Sequence, residues 1–282
     1  MSKGEAVPAP AVGPPSRNLL MRVLAAAVLV PVTLGCAYAG GWLWSVPVAL
    51  AVIGLDIEWL MVVGLVQERR VVVAGVAALG LIGLCLSLGR PEVALLVGAL
   101  GLVAVAVLAP QRRHWAAAGF VYAAAAQFAA VLLRADREMG FAALIFILLI
   151  VWATDIGGYF AGRSVGGPKL WPRVSPNKTW AGAIGGLLGS LLVGAGFAAF
   201  GVGRMLPLLG LAAVMSVTGQ FGDLFESAVK RRFGVKDSSH IIPGHGGLMD
   251  RLDSLVAVLV VAAIIGILRQ GVDGIGRGVM VW

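Results

Sequence analysis

Charge is what this sequence has least of: Asp, Glu, Lys and Arg make up 13% of its 282 residues, while 59% are hydrophobic. A soluble globule, whose apolar share is nearer to about 45–50%, is excluded, and a polytopic membrane protein remains. Cysteine is almost missing. Cys36 and Cys85 both lie inside apolar runs, which argues against a structural disulfide and a thiolate metal site. Histidine occurs three times, and without a second His or Cys at ligand spacing to His245 there is no zinc motif. No repeat of fixed period and no pair of similar halves with interrupted helices is visible, which counts against a secondary transporter. The net charge of +8 sits at the ends of apolar runs and not in an aromatic-interleaved patch. The partner it implies is an anionic lipid bilayer, not nucleic acid.

What is abundant is apolar length and glycine. The 40 glycines suit helices that approach closely in a membrane. Spans of roughly 17–25 residues, enough to cross a bilayer, are predicted at 19–39, 43–66, 71–89, 92–109, 115–133, 139–161, 180–202, 205–225 and 254–269. The fold class is therefore all-α, a polytopic integral membrane protein of about nine transmembrane helices. Residues 1–17, rich in Pro, Ala and Gly, read as a disordered tail. Residues 18–138 form five N-terminal spans, and residues 139–282 a catalytic transmembrane region with loops at 162–179 and 226–253. A cytoplasmic N-terminus places Lys3, Arg17, Arg22, Arg69, Arg70, Arg112, Arg113, Arg163, Lys169, Arg173, Lys178, Lys230, Arg231, Arg232, Lys236 and Arg251 inside. Only Arg90, Arg134, Arg137, Arg204, Arg269 and Arg277 of the 22 Lys and Arg then lie outside. That asymmetry predicts a multi-pass protein of the inner (plasma) membrane with both loops facing the cytoplasm.

The chemistry gathers between Asp223 and Ser254, a stretch holding Asp223, Glu226, Asp237, Asp250 and Asp253 of the chain's 14 acidic residues. Asp223, Glu226, Ser227 and Lys230 fall at i, i+3, i+4 and i+7, one face of a helix. A turn-rich segment follows, with Lys236-Asp237 and then Pro243-Gly244-His245-Gly246-Gly247, whose glycines permit a fold around phosphates. Asp250 and Asp253 are three apart and aim to one side of the next helix. Asp155 lies within an apolar span, where a carboxylate costs about 2.5–3.5 kcal/mol on insertion scales and is functional by default. Asp56 and Glu58 raise the same question, but with no phosphate-type loop beside them in sequence they read as carboxylates that pin helices. Carboxylates without His or Cys are hard-oxygen ligands, suited to Mg²⁺ or Mn²⁺ with waters and substrate phosphates.

The stretch resembles the signature of the phosphatidate cytidylyltransferases, or CDP-diacylglycerol synthases. Ser227, Lys230-Arg231, Lys236-Asp237, Pro243 to Gly247 and Asp250-Arg251-Leu252-Asp253 match that motif throughout. The likeness continues upstream through Thr154-Asp155, Tyr159, Gly162-Arg163 and Ser175-Pro176-Asn177-Lys178-Thr179-Trp180, with Asn177 and Ala181 where many relatives carry Lys and Glu. The resemblance implies that CTP and phosphatidic acid are the substrates and that a homodimer forms. Within it, Asp223 and Asp250 hold the metal, with Ser227, Asp155 and Asp253 as further catalytic residues. Lys230, Arg231, Lys236, Asp237, Gly244, His245, Gly246, Gly247 and Arg251 form the nucleotide site, the cations meeting the triphosphate, and Arg163, Ser175, Lys178 and Thr179 complete the nucleotide or lipid-phosphate site. Two other readings are a CTP-dependent polyprenol or phytol kinase, and an ion-coupled transporter using Asp155, Asp56 and Glu58. The DG-AR-G-D-D spacing of CDP-alcohol phosphotransferases is not found.

Overall fold

The protein is seen in a computed structural model that describes residues 30–239 and 246–282. The tail, most of the first predicted span, and the sequence-predicted Gly244 and His245 lie outside the described residues. Within them the chain is helical: α1 Val30–Ala39, α2 Gly41–Val62, α3 Arg69–Ser87, α4 Pro91–Leu108, α5 Arg113–Ala135, α6 Gly140–Ser164, α7 Trp180–Ala199, α8 Met205–Arg232, α9 Met249–Gln270 and the short α10 Ile275–Met280. Eight of these, α2 to α9, are long and apolar enough to cross a membrane. It is an all-α polytopic membrane protein with one exception. The 162–179 segment holds a two-stranded antiparallel hairpin, β1 Lys169–Trp171 and β2 Ser175–Thr179, with Lys169 opposite Thr179 and Trp171 opposite Ser175.

Two bundles meet along α5. In the first, α2 and α4 each pack on α3 and α5. In the second, α7 lies between α6 and α8, and α9 packs on α8, α5 and α10. The α6–α7 seam is close because it is lined with glycine: a Cβ at Gly157 would stand 2.5 Å from the Gly185 carbonyl, and one at Gly186 2.7 Å from that of Thr154. Backbone-to-backbone packing of this kind replaces the hydrophobic drive that lipid cannot supply. Where the bundles join, Trp59 of α2 stacks on Phe225 of α8 with ring centroids 6.2 Å apart, and its indole Nε1 donates to the Trp115 carbonyl of α5 at 2.8 Å. This wedge sets the neighbouring Glu58 against the start of α9.

Both motif helices run farther than their apolar stretches. Past the predicted end at 225, α8 continues to Arg232, supported by the i,i+4 pair of Glu226 with Lys230 and by three cations in its last turn. It stops where Gly234 takes φ +74°, a left-handed conformation in which the Val235 N–H donates back to the Lys230 carbonyl at 3.0 Å. Because α9 begins at Met249, five residues before the predicted 254, Asp250 and Asp253 are helical.

At the other end of α6, the buried Asp136 accepts from the N–H groups of Glu138, Met139 and Arg277 and from the Arg277 guanidinium. It ties α10 to the α5–α6 turn.

Candidate active site

A cavity of about 510 Å³ opens among α6, β2, α7 and α8. Asp155, Tyr159 and Arg163 reach it from α6, Lys178 and Thr179 from the hairpin, and Gln220 and Asp223 from α8. Five sequence-predicted residues that span 69 positions therefore share one wall-to-wall space. The hairpin is what brings Lys178 here: it turns the chain back on itself and delivers Thr179 as N-cap of α7, its hydroxyl accepting the Gly182 N–H at 3.1 Å. Lys178 forms an ion pair with Asp223, both side chains about one-third exposed or less. Ser227 donates to the other oxygen of Asp223 at 3.3 Å, and Arg163 donates to the Tyr159 hydroxyl at 2.8 Å. Asp155 and Asp253 both lie within the electrostatic reach of Asp223.

About two turns farther along α8, a second cluster is almost closed to solvent. Lys230 contacts Glu226 at 2.8 Å and also pairs with Asp250. The second oxygen of Asp250 accepts from the Ser238 N–H at 3.1 Å, the Ser238 hydroxyl at 3.0 Å and the Gly247 N–H at 3.0 Å. A Cβ at Gly247 would collide with the Ser238 hydroxyl and stand 2.6 Å from Glu58. Only glycine fits there. The sequence expects Lys230 to meet nucleotide phosphates; in this structure its ammonium bridges two carboxylates, one of α8 and one of α9.

The remaining candidates lie around these two clusters. Arg231 is exposed and donates to the Val235 carbonyl at 3.1 Å, holding the α8 turn. Lys236, Asp237 and Arg251 are exposed beside it, Gly246 adopts φ +78°, and half-buried Ser175 opens β2. Glu58 is the residue whose sequence reading changes most. It is fully buried, and residues that flank the Gly-rich loop, far from it in sequence, lie against it in space. Its carboxylate accepts from Ser238, Ser239, Leu248 and Met249. A carboxylate in an apolar span is a sequence signal that points there.

With this geometry in view, the comparisons with known proteins are specific. A model of the "Cytidylyltransferase family" matches residues 20–268. The chain belongs to the cytidylyltransferase family. It is 42% identical over 259 residues to the phosphatidate cytidylyltransferases of Brucella suis biovar 1 (strain 1330) and Brucella melitensis biotype 1, covering 88% of this chain and 93% of each relative. The phosphatidate cytidylyltransferase of Staphylococcus aureus (strain COL) is 49% identical over 126 residues, 44% of this chain and 48% of that one.

As a cytidylyltransferase, the chain has a donor set that suits a divalent cation. Among the described residues no three His, Cys, Asp or Glu side chains converge tightly enough to cage an ion alone. Mg²⁺ needs no such cage, since one or two carboxylates with waters and substrate phosphates suffice. Asp223 and Asp250 are each paired with a lysine ammonium, of Lys178 and Lys230, which marks where the site favours positive charge.

Proposed function

We infer that the chain is a phosphatidate cytidylyltransferase: it joins CTP to phosphatidic acid, giving CDP-diacylglycerol and pyrophosphate. The observation that carries this reading is the convergence of Asp155, Asp223, Arg163 and Lys178 on one cavity, in a chain of this family. A lipid phosphate oxygen attacks the α-phosphorus of CTP, a new P–O bond forms, and the α–β bridging bond breaks with its electrons leaving on pyrophosphate. The attacking oxygen is already ionised near neutral pH, so no general base is required. The obstacle is repulsion between two anions, and placing positive charge is the main task.

Lys178 is suited to that task because its present partner holds it weakly. A partly exposed pair contributes about 0–1 kcal/mol, and an incoming phosphate offers a stronger charge-assisted contact. Arg163 would receive a phosphate from the opposite wall, and Arg231, Lys236 and Arg251 would meet the triphosphate at the rim. Mg²⁺ or Mn²⁺ held by Asp223 and Asp250, with Asp155, Asp253 and Ser227 orienting that pair, would act as a Lewis acid on the phosphate oxygens. An apolar cavity of about 370 Å³, lined by Trp171, Trp180, Ile184 and Phe221, adjoins the polar one and shares Leu170, Ala183 and Gln220 with it. It suits the acyl chains.

Purified protein given cytidine-labelled CTP, phosphatidic acid and Mg²⁺ should place the label in lipid and release pyrophosphate. Label in free CDP with a phosphorylated lipid alcohol would mean a lipid kinase, and ion-driven flux without nucleotide turnover would mean a transporter. The active site would face the cytoplasm of a cell whose inner membrane holds the chain. In a background lacking Cys36 and Cys85, Arg232→Cys should be shielded from impermeant thiol reagents in intact cells and Gly271→Cys labelled. Reversed labelling overturns that orientation.

A further inference from the structure

Glu58 stands outside every role described so far, yet its buried carboxylate is as fully hydrogen-bonded as the carboxylates of Asp136 and Asp250. It accepts four hydrogen bonds: from the Ser239 hydroxyl at 2.6 Å, the Met249 N–H at 2.7 Å, the Leu248 N–H at 2.8 Å and the Ser238 hydroxyl at 2.9 Å. These donors come in two pairs from either side of the turn-rich segment. Leu248 and Met249 open α9, which has no side-chain cap of its own. The first N–H groups of a helix have no partner within it and favour negative charge. Here the cap comes from α2, 190 residues away in sequence.

The same carboxylate is coupled to Asp250. The Ser238 hydroxyl lies 2.9 Å from Glu58 Oε2 and 3.0 Å from Asp250 Oδ2, and its single hydrogen serves one of them at a time. Met249, whose N–H Glu58 holds, is the residue before Asp250. A shift of the α9 start would move Asp250 and, one turn on, Asp253. Burying an ionised carboxylate is expensive unless donors satisfy it, and what sets Glu58 apart is that its donors are drawn from both flanks of one loop, next to Asp250.

We propose that Glu58 is a positioning residue for cytidylyl transfer: it clamps residues 238–239 to residues 248–249 and so fixes Asp250 at the first turn of α9. The proposal rests on the reading of Asp250 as a residue of the active site. The test compares purified full-length wild type with Glu58→Gln, which keeps the shape but replaces one acceptor oxygen by a donor facing donors. In Glu58→Gln, kcat should fall at least about tenfold while KM for CTP and for phosphatidic acid stays within about twofold, the pattern of a misplaced group and not of lost substrate binding. Hydrogen exchange should rise in the peptide covering 246–253, with no comparable rise in α3 or α4.

A Glu58→Gln variant with wild-type kcat per folded molecule, or one whose loss of rate comes with exchange raised across the whole chain, would overturn the proposal. Should that variant not fold, Ser238→Ala/Ser239→Ala removes two of the four donors and leaves α9 capped; unchanged kcat there overturns it equally. Failure of the functional reading is separate. It shows as a wild-type chain that makes no CDP-diacylglycerol, in which case locally raised exchange at 246–253 still supports the clamp and its absence ends it.

Discussion

Lys178 with Asp223, and Lys230 with Glu226 and Asp250, are ammonium–carboxylate contacts that share helix α8, with Asp223 and Lys230 about two turns apart. The first lies on the cavity wall, its side chains 28% and 31% exposed; in the second, Lys230 is 11% exposed and Glu226 1%. Solvent access changes what each does. The wall pair separates at little cost, so Lys178 is available to a phosphate. Breaking the inner cluster leaves uncompensated buried charge, so Lys230 holds α8 to α9. The same chemical contact is open to solvent and loosely held in one place and a fastener in the other.

The sharpest way to break this comparison is Lys230→Met, which keeps length and removes charge. It should lower stability by about 3–5 kcal/mol, the effect of deleting one partner of a buried ion pair, seen as a lower unfolding midpoint and poorer yield. Wild-type stability would make Lys230 another mobile phosphate ligand. Next in size is Asp223→Asn, expected to leave the fold intact and reduce kcat by roughly 10²–10³-fold, about 2.7–4 kcal/mol, as for loss of a preorganised electrostatic group. Asp250→Asn should match that loss of rate while also lowering stability, because it removes one carboxylate partner of the enclosed Lys230. If both serve one cation, the double variant is scarcely worse than either single one and needs more Mg²⁺ for half-maximal rate. Multiplying losses at unchanged metal dependence would assign the two aspartates separate jobs.

Lys178→Ala sharpens the comparison from the other side. Its melting temperature should stay near that of wild type, while kcat/KM falls at least about tenfold, roughly 1.4 kcal/mol. Full activity would reduce Lys178 to a membrane anchor.

The smallest effect is expected at Asp136, far from the site. Burial pushes its carboxyl up, but the N–H groups of Arg277, Glu138 and Met139 and the Arg277 guanidinium outweigh that and hold it below the usual carboxylate range. A depressed carboxyl contributes stability above its unfolded value, near about 3.9, and loses it as pH falls through the folded value. Wild type should therefore exceed Asp136→Asn in stability at pH 7 by on the order of 1–2 kcal/mol, with the gap closing below about pH 4. A gap that persists in acid would trace to packing and not to charge.

Much of the architecture is legible in the chain. Apolar length and scarce charge set the membrane class, and each span from α2 to α9 overlaps a predicted one because the bilayer imposes a single length on every crossing helix. Helix ends were less legible. Hydropathy ends α8 near residue 225, whereas the Glu226–Lys230 pair and Gly234 carry it to Arg232. The hairpin at 169–179 is short and polar, with too few residues to display a strand period.

The sequence by itself marked the candidate residues of the site, because Asp155, Arg163, Lys178, Asp223 and Asp250 stand in motifs whose chemistry is local in type. Only the tertiary structure decided how they divide. Burial is a property of neighbours, and spacing along the chain cannot tell that Lys178 reaches Asp223 while Lys230 is enclosed between α8 and α9. Nor could it tell that Glu58 would meet a loop 180 residues away. That contact exists because Trp59, one position on, is wedged between α5 and α8, and a rigid helix carries its neighbour wherever it packs.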